Sequence, residues 1–144
     1  GALLRGPARM AAAERELIAA AVSRSNGCRF CEYSHGAAAN ALSEDDDFVG
    51  RSLGDTDHLT PKMGYFVRVA RLVARSGREV NSSVVAEGRA LGVTGAELHD
   101  TVLIAAAFSM YNRYVDGLAA ITPEDPADYR EMGQMLATQG YVRP

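Results

Sequence analysis

The chain has 144 residues, 47% of them apolar and 23% charged, with a formal net charge of −3. That length suits one domain with its own core and is too short for two ordinary ones. No basic excess points to nucleic acid, no acidic tail points to a disordered segment, and the apolar runs Leu17 to Val22 and Val102 to Phe108 fall far short of the ~20 residues of a membrane helix.

The chain opens on Gly1, as a trimmed or tag-derived start would, and the first residues hold Arg5 and Pro7 without the apolar core of a signal peptide. From Ala11 to Ser25 it is rich in the helix formers Ala, Glu, Arg and Leu, and Asn26-Gly27 supplies a left-handed stop. A second helix is expected from about Cys28 to Leu42. Ser43 followed by Glu44, Asp45, Asp46 and Asp47 reads as a cap with acidic residues in a first turn. A calcium loop would want alternating ligands and a longer reach. Thr60-Pro61 is a cap with proline at the first helical position. Phe66, Val69, Ala70 and Val73 then follow a helical stripe that Gly77 ends. Asn81 caps a short helix to Leu91, closed by Gly92. Thr94 and Glu97 form a capping box that opens the longest helix, Gly95 to Ile121. Its middle, Val102 to Phe108, is apolar on every side, so this helix is expected to be central and buried. A last amphipathic helix, Pro126 to Thr138, uses Tyr129, Met132, Met135 and Leu136. No alternating stretch is long enough for a strand, and the expectation is one all-α domain over residues 1–144.

Both cysteines of the chain, Cys28 and Cys31, fall in the run Cys28-Arg29-Phe30-Cys31-Glu32-Tyr33-Ser34-His35. Two thiols cannot make a secreted disulfide scaffold, so a reducing, cytoplasmic setting is expected. On a helix, Cys28 and Cys31 lie about one turn apart and Cys31 and His35 are neighbours at i,i+4. A thiol at a helix start feels unpaired backbone N–H groups and the positive end of the dipole, which favour the thiolate. His35 can take or hold the proton of Cys31. Counting back from Gly27 in an antiparallel hairpin places Glu16 within roughly 5 Å of His35 along the axis, at 1.5 Å per residue. Ala12, Ala13, Ala19 and Ala20 flank Glu16, and a carboxylate in such a stripe needs a partner such as imidazole. Taken singly, each of these residues has an ordinary structural reading. Their shared spacing favours a proton relay Glu16–His35–Cys31.

The pattern Glu16-x11-Cys28-x2-Cys31-x3-His35 resembles the AhpD-like alkylhydroperoxidase branch of the carboxymuconolactone decarboxylase superfamily, and "YNRYVDGL" from Tyr111 to Leu118 resembles the signature of its peroxidase-related members. The resemblance runs from about Met10 to Ala119. It implies a helical domain that assembles as a homo-oligomer, a trimer or hexamer. It also implies reduction of a hydroperoxide through a Cys28–Cys31 couple. By the resemblance Cys31 is the peroxide-reactive thiol, Cys28 its resolving partner, His35 the base and Glu16 the acid behind it. The spacing agrees on Cys31, while the helix dipole points to Cys28. The best-known members carry a histidine just before the second cysteine, where this chain has Phe30. Phe30 with Tyr33 instead suggests an apolar approach to the thiols. The resemblance further implies an external dithiol as reductant, on a lipoyl carrier or a thioredoxin-like protein.

Arg113 and Asp116, three apart, can pair with support from Asn112, or Asn112 and Arg113 can line the thiol pocket. His58 and His99 have no recognisable partner. No flavin, haem or nucleotide motif is present, so no cofactor is expected. Three alternatives compete with the peroxidase reading: a dithiol–disulfide exchange adaptor, a zinc site on Cys28, Cys31 and His35 that lacks an obvious fourth ligand, and a non-catalytic oligomeric scaffold.

Overall fold

In the computed structural model, which describes residues 2–54 and 58–141, all regular structure among those residues is helical. The helices are α1 (Ala2–Arg5), α2 (Ala12–Ser25), α3 (Arg29–Ser43), α4 (Phe48–Gly54), α5 (Pro61–Arg75), α6 (Ser82–Ala90), α7 (Gly95–Gly117) and α8 (Arg130–Gln139). Short 3-10 turns occupy Gly77–Glu79 and Pro126–Tyr129.

Local chemistry sets most of the boundaries. Thr60 accepts a hydrogen bond from the Met63 N–H at 3.2 Å with Pro61 following it. Asn81 accepts from the N–H groups of Ser83 and Val84, and Thr94 and Glu97 bond reciprocally. Gly27 and Gly92 hold φ of +72° and +77° at the helix ends where a left-handed residue was expected.

Two boundaries differ from expectation. Ser43 closes α3 instead of capping a new helix, and Glu44 follows it in the left-handed region at φ 55°. The acidic run is then a turn. Asn40 stitches it by donating to the Asp46 carbonyl at 2.7 Å and accepting the Val49 N–H at 2.9 Å, while Asp45 and Asp47 reach Arg51. Helix α7 stops at Gly117, short of Ile121, because Leu118 caps it and Ala119 turns left-handed at φ 50°.

The core is built around α2 and not around α7. Every residue of α2 from Arg15 to Ser23 is buried, and α2 packs against α3, α5 and α7 at once. Ala19, Ala20 and Ala21 have little side chain, so neighbouring helices approach closely on all sides. Burying Leu17, Ile18 and Val22 completely contributes about 1.5–3 kcal/mol each. Helix α7 is covered on one face only. Thr101, Ile104, Ala105 and Phe108 are buried, whereas Leu103, Met110, Tyr114 and Leu118 lie on an exposed face. An all-round apolar run reports hydrophobicity and not how many neighbours the fold supplies. Helix α8 seats on α3 where Gly133 meets the Ala37 backbone, with no room for a Cβ.

Candidate active site

The α2–α3 turn delivers the two thiols. Its left-handed Gly27 lets the chain reverse at once, and the Cys28 N–H then donates to the Ser23 carbonyl at 3.0 Å. Cys28 is the N-cap residue of α3, and its carbonyl accepts the Glu32 N–H at 2.9 Å. Asn112 on α7 clamps this turn. Its side chain donates to Ser23 Oγ at 2.9 Å and accepts from Asn26 Nδ2 at 2.9 Å. Both cysteines are free thiols and buried, Cys28 at 0% exposure and Cys31 at 4%.

Burial pushes the Cys28 thiol well up from its ordinary pKa, and the neighbouring Cys31 thiol and the Asp116 carboxylate push it the same way. The Cys31 backbone N–H pulls in the opposite direction, which is the helix-start effect read from the sequence. It is outweighed. Cys28 is therefore a protonated thiol and not the thiolate its position at the helix start suggested.

Behind the thiols, Glu16 and His35 meet across the hairpin as the residue count required. Glu16 Oε2 lies 2.7 Å from His35 Nδ1, and Glu16 is wholly buried. Two further groups hold its other oxygen. The Tyr141 hydroxyl donates to Oε1 at 2.7 Å, and Arg5 Nη1 pairs with the same atom at 2.6 Å. Burial pushes the Glu16 pKa up, but the hydrogen bond and the charge of His35, then the Tyr141 bond and the charge of Arg5, more than offset it, so the net shift is downward. Glu16 is thus an acceptor-only carboxylate, and His35 must carry its proton on Nδ1. In the neutral ring that tautomer puts the lone pair on Nε2. The imidazole sits edge-on to the Phe108 ring at 4.4 Å and stacks with Tyr141 at 5.8 Å. Among the described residues no hydrogen bond joins His35 to either thiol, and no group of three or more His, Cys, Asp or Glu is arranged to hold a metal ion.

A model described as the carboxymuconolactone decarboxylase family matches residues 1–71. The crystal structure of an uncharacterized peroxidase-related protein from Silicibacter sp. TM1040 superposes with a TM-score of 0.80 at 25% identity, over 90% of this chain and 67% of that one. The chain is an AhpD-like member of the carboxymuconolactone decarboxylase superfamily. A second structure, described as the alkylhydroperoxidase AhpD core of an uncharacterized peroxidase-related protein from Ralstonia eutropha JMP134, has the same fold. It aligns with a TM-score of 0.80 at 23% identity, over 92% of this chain and 70% of that one. No curated protein matches the chain significantly.

The remaining residues singled out in the sequence take different places on this AhpD-like frame. Phe30 and Tyr33, read from the sequence as an apolar approach to the thiols, are half-buried on α3. Their rings pack edge-on against Tyr129 at 5.9 and 5.5 Å, and so hold the Pro126–Tyr129 turn onto α3. Tyr129 is buried beside Cys28, and its hydroxyl donates to the Pro123 carbonyl at 3.0 Å. Arg113 and Asp116 do not pair. Arg113 is exposed and donates back to the Ser109 carbonyl at 2.7 Å, whereas Asp116 turns toward Cys28. His58 and His99 are exposed, and His99 lies 3.4 Å from the adjacent Asp100 carboxylate. The half-open groove of about 460 Å³ between α3, α4 and α8 includes Tyr33, Asn40 and Arg130 and does not include either cysteine. Sequence reading missed Arg5, Tyr129 and Tyr141. None belongs to a local motif, and each reaches the site only through tertiary packing.

Proposed function

We propose that the protein is a thiol-dependent hydroperoxide reductase, with Cys31 as the attacking thiol and Cys28 as the resolving one. The observation that carries this reading is the buried Glu16–His35 hydrogen bond at 2.7 Å, one helical turn from Cys31. Such a pair orients the imidazole and holds Nε2 as a base. The peroxidase-related names of the similar structures support the same class of chemistry.

In the proposed cycle the Cys31 proton passes to His35 Nε2. The thiolate sulfur attacks the terminal peroxide oxygen and the O–O bond breaks. The departing alkoxide takes the proton back from the imidazolium and leaves as an alcohol. Cys31 is now a sulfenic acid, oxidised by two electrons. The Cys28 sulfur attacks it, the S–O bond breaks, and water leaves with the Cys28 proton, giving a Cys28–Cys31 disulfide. The raised pKa of Cys28 suits a thiol that keeps its proton until that second step. An external dithiol, on a lipoyl carrier or a thioredoxin-like protein, then reduces the disulfide by exchange. A cytoplasmic setting fits this need for a reductant, and no helix among the described residues is long and apolar enough to cross a membrane.

We further propose self-association, as a trimer or hexamer, through the exposed face of α7. Met110, Tyr114 and Leu118 are 59%, 65% and 64% exposed there, at helical spacing. Sedimentation of the purified protein should give a mass several times that of one chain. A monomer at micromolar concentration contradicts it. The catalytic reading is tested by Cys31→Ser, which should abolish hydroperoxide turnover with dihydrolipoamide or thioredoxin as reductant. Full activity in that variant would exclude the mechanism.

A further inference from the structure

Glu16 has two oxygens, and they are used for different purposes. Oε2 faces His35, while Oε1 receives Arg5 and Tyr141 together. This arrangement bears on a difficulty in the relay. A buried carboxylate alone beside an imidazole stabilises the imidazolium, and an imidazolium cannot accept a thiol proton. Pairing the carboxylate with a guanidinium makes the combined group neutral, so the imidazole faces a dipole and not a full negative charge.

Arg5 is fixed to this task from several directions. Its Nη2 donates to the Leu136 carbonyl at 3.0 Å, its guanidinium lies over the Tyr141 ring at 5.3 Å, and its Nε is buried without a partner. Tyr141 in turn stacks on His35, and its hydroxyl oxygen lies 3.0 Å from Nδ1. The other charged or titratable groups facing the pair are few. From α2, Arg15 is buried but engaged by the Leu3 and Gly6 carbonyls at 3.1 and 3.0 Å, with Asp100 of α7 acting on it. From α3 there is Cys31 itself. Helix α7 presents the apolar ring of Phe108, and the contact from α8 is the Leu136 carbonyl on Arg5.

We propose that Arg5 and Tyr141 are positioning residues of the relay, holding Oε1 of Glu16 and neutralising its charge so that His35 stays a neutral imidazole able to take the Cys31 proton. What that proton transfer serves rests on the hydroperoxide reductase reading above. The tuning itself does not.

The test follows the ring protons of the histidines by NMR across pH, with exposed His58 and His99 as internal references, in the wild type, Arg5→Gln, Arg5→Lys and Tyr141→Phe. In parallel, the pH dependence of Cys31 alkylation is measured in Cys28→Ser backgrounds. Arg5→Gln should move the His35 titration midpoint to higher pH by about one unit, a tenfold change in proton affinity, with the acid limb of alkylation moving alongside. Arg5→Lys should restore most of the difference. Tyr141→Phe keeps the stacked ring and loses one bond to Oε1, so it should give a smaller shift in the same direction. If Arg5→Gln does not fold, Tyr141→Phe decides alone. A His35 midpoint that stays put or falls in the folded variants overturns the proposal. Because the titration needs no peroxide, a shift without hydroperoxide turnover would sink the enzymatic reading and leave this one standing.

Discussion

At the scale of single residues, Glu16 governs the site. It is a wholly buried carboxylate with three hydrogen-bonding or ion-pair partners. Replacing it by Gln strands Arg5 beside a neutral amide, and removing one member of a buried pair costs about 3–5 kcal/mol. Urea denaturation at neutral pH should show that loss. The pH dependence follows from the direction of its shift. The folded pKa of Glu16 lies below its ordinary value, so the unfolded chain binds the proton more readily. Its stabilising contribution is complete above the unfolded pKa of about 4.3 and is lost as pH falls through the folded value. Stability curves of wild type and Glu16→Gln should therefore converge in acid and separate toward neutrality. Glu16, His35 and the thiols were legible in the sequence because helical periodicity and one tight turn relate them, and both are local properties. Arg5 and Tyr141 were not. Tyr141 lies 125 positions from Glu16, and no periodicity spans that distance.

Among the elements, the α2–α3 hairpin does most to place the chemistry, and it depends on Gly27. A Cβ there would meet no neighbour, so the cost of Gly27→Ala is purely that of a left-handed φ of +72°, about 1–2 kcal/mol. A fall in Tm of several degrees with a native helical spectrum is the expected result. Gly133→Ala differs in kind. Its Cβ would lie 2.5 Å from the Ala37 carbonyl carbon, so α8 must move off α3 at a cost of about 1–3 kcal/mol or more. Since Tyr141 follows α8, that variant should also weaken the Tyr141 bond to Glu16, seen as a disturbed His35 resonance. Caps at Thr60, Asn81 and Thr94 were readable because the capping side chain and its N–H are adjacent in sequence. The acidic turn was misread because the Asn40 contacts that shape it lie on the preceding helix.

For the molecule as a whole, burial is set by how many neighbours a helix has. Helix α2 is surrounded by α3, α5 and α7, while α7 leaves Leu103, Met110, Tyr114 and Leu118 on an open face. Composition alone ranked them the other way, because Ala-rich α2 is the less hydrophobic of the two. The fold buries a thiol pair at a clamped helical turn and, further along the same hairpin, a carboxylate of Glu16 that meets His35, Tyr141 and Arg5. The claim at its centre is that Cys28 and Cys31 act together as a two-electron couple. Counting thiols in denatured protein before and after one equivalent of hydroperoxide tests it most directly. The account predicts two free thiols per chain before and none after, with both restored by a dithiol and no intermolecular crosslink. Two thiols surviving the peroxide would contradict it.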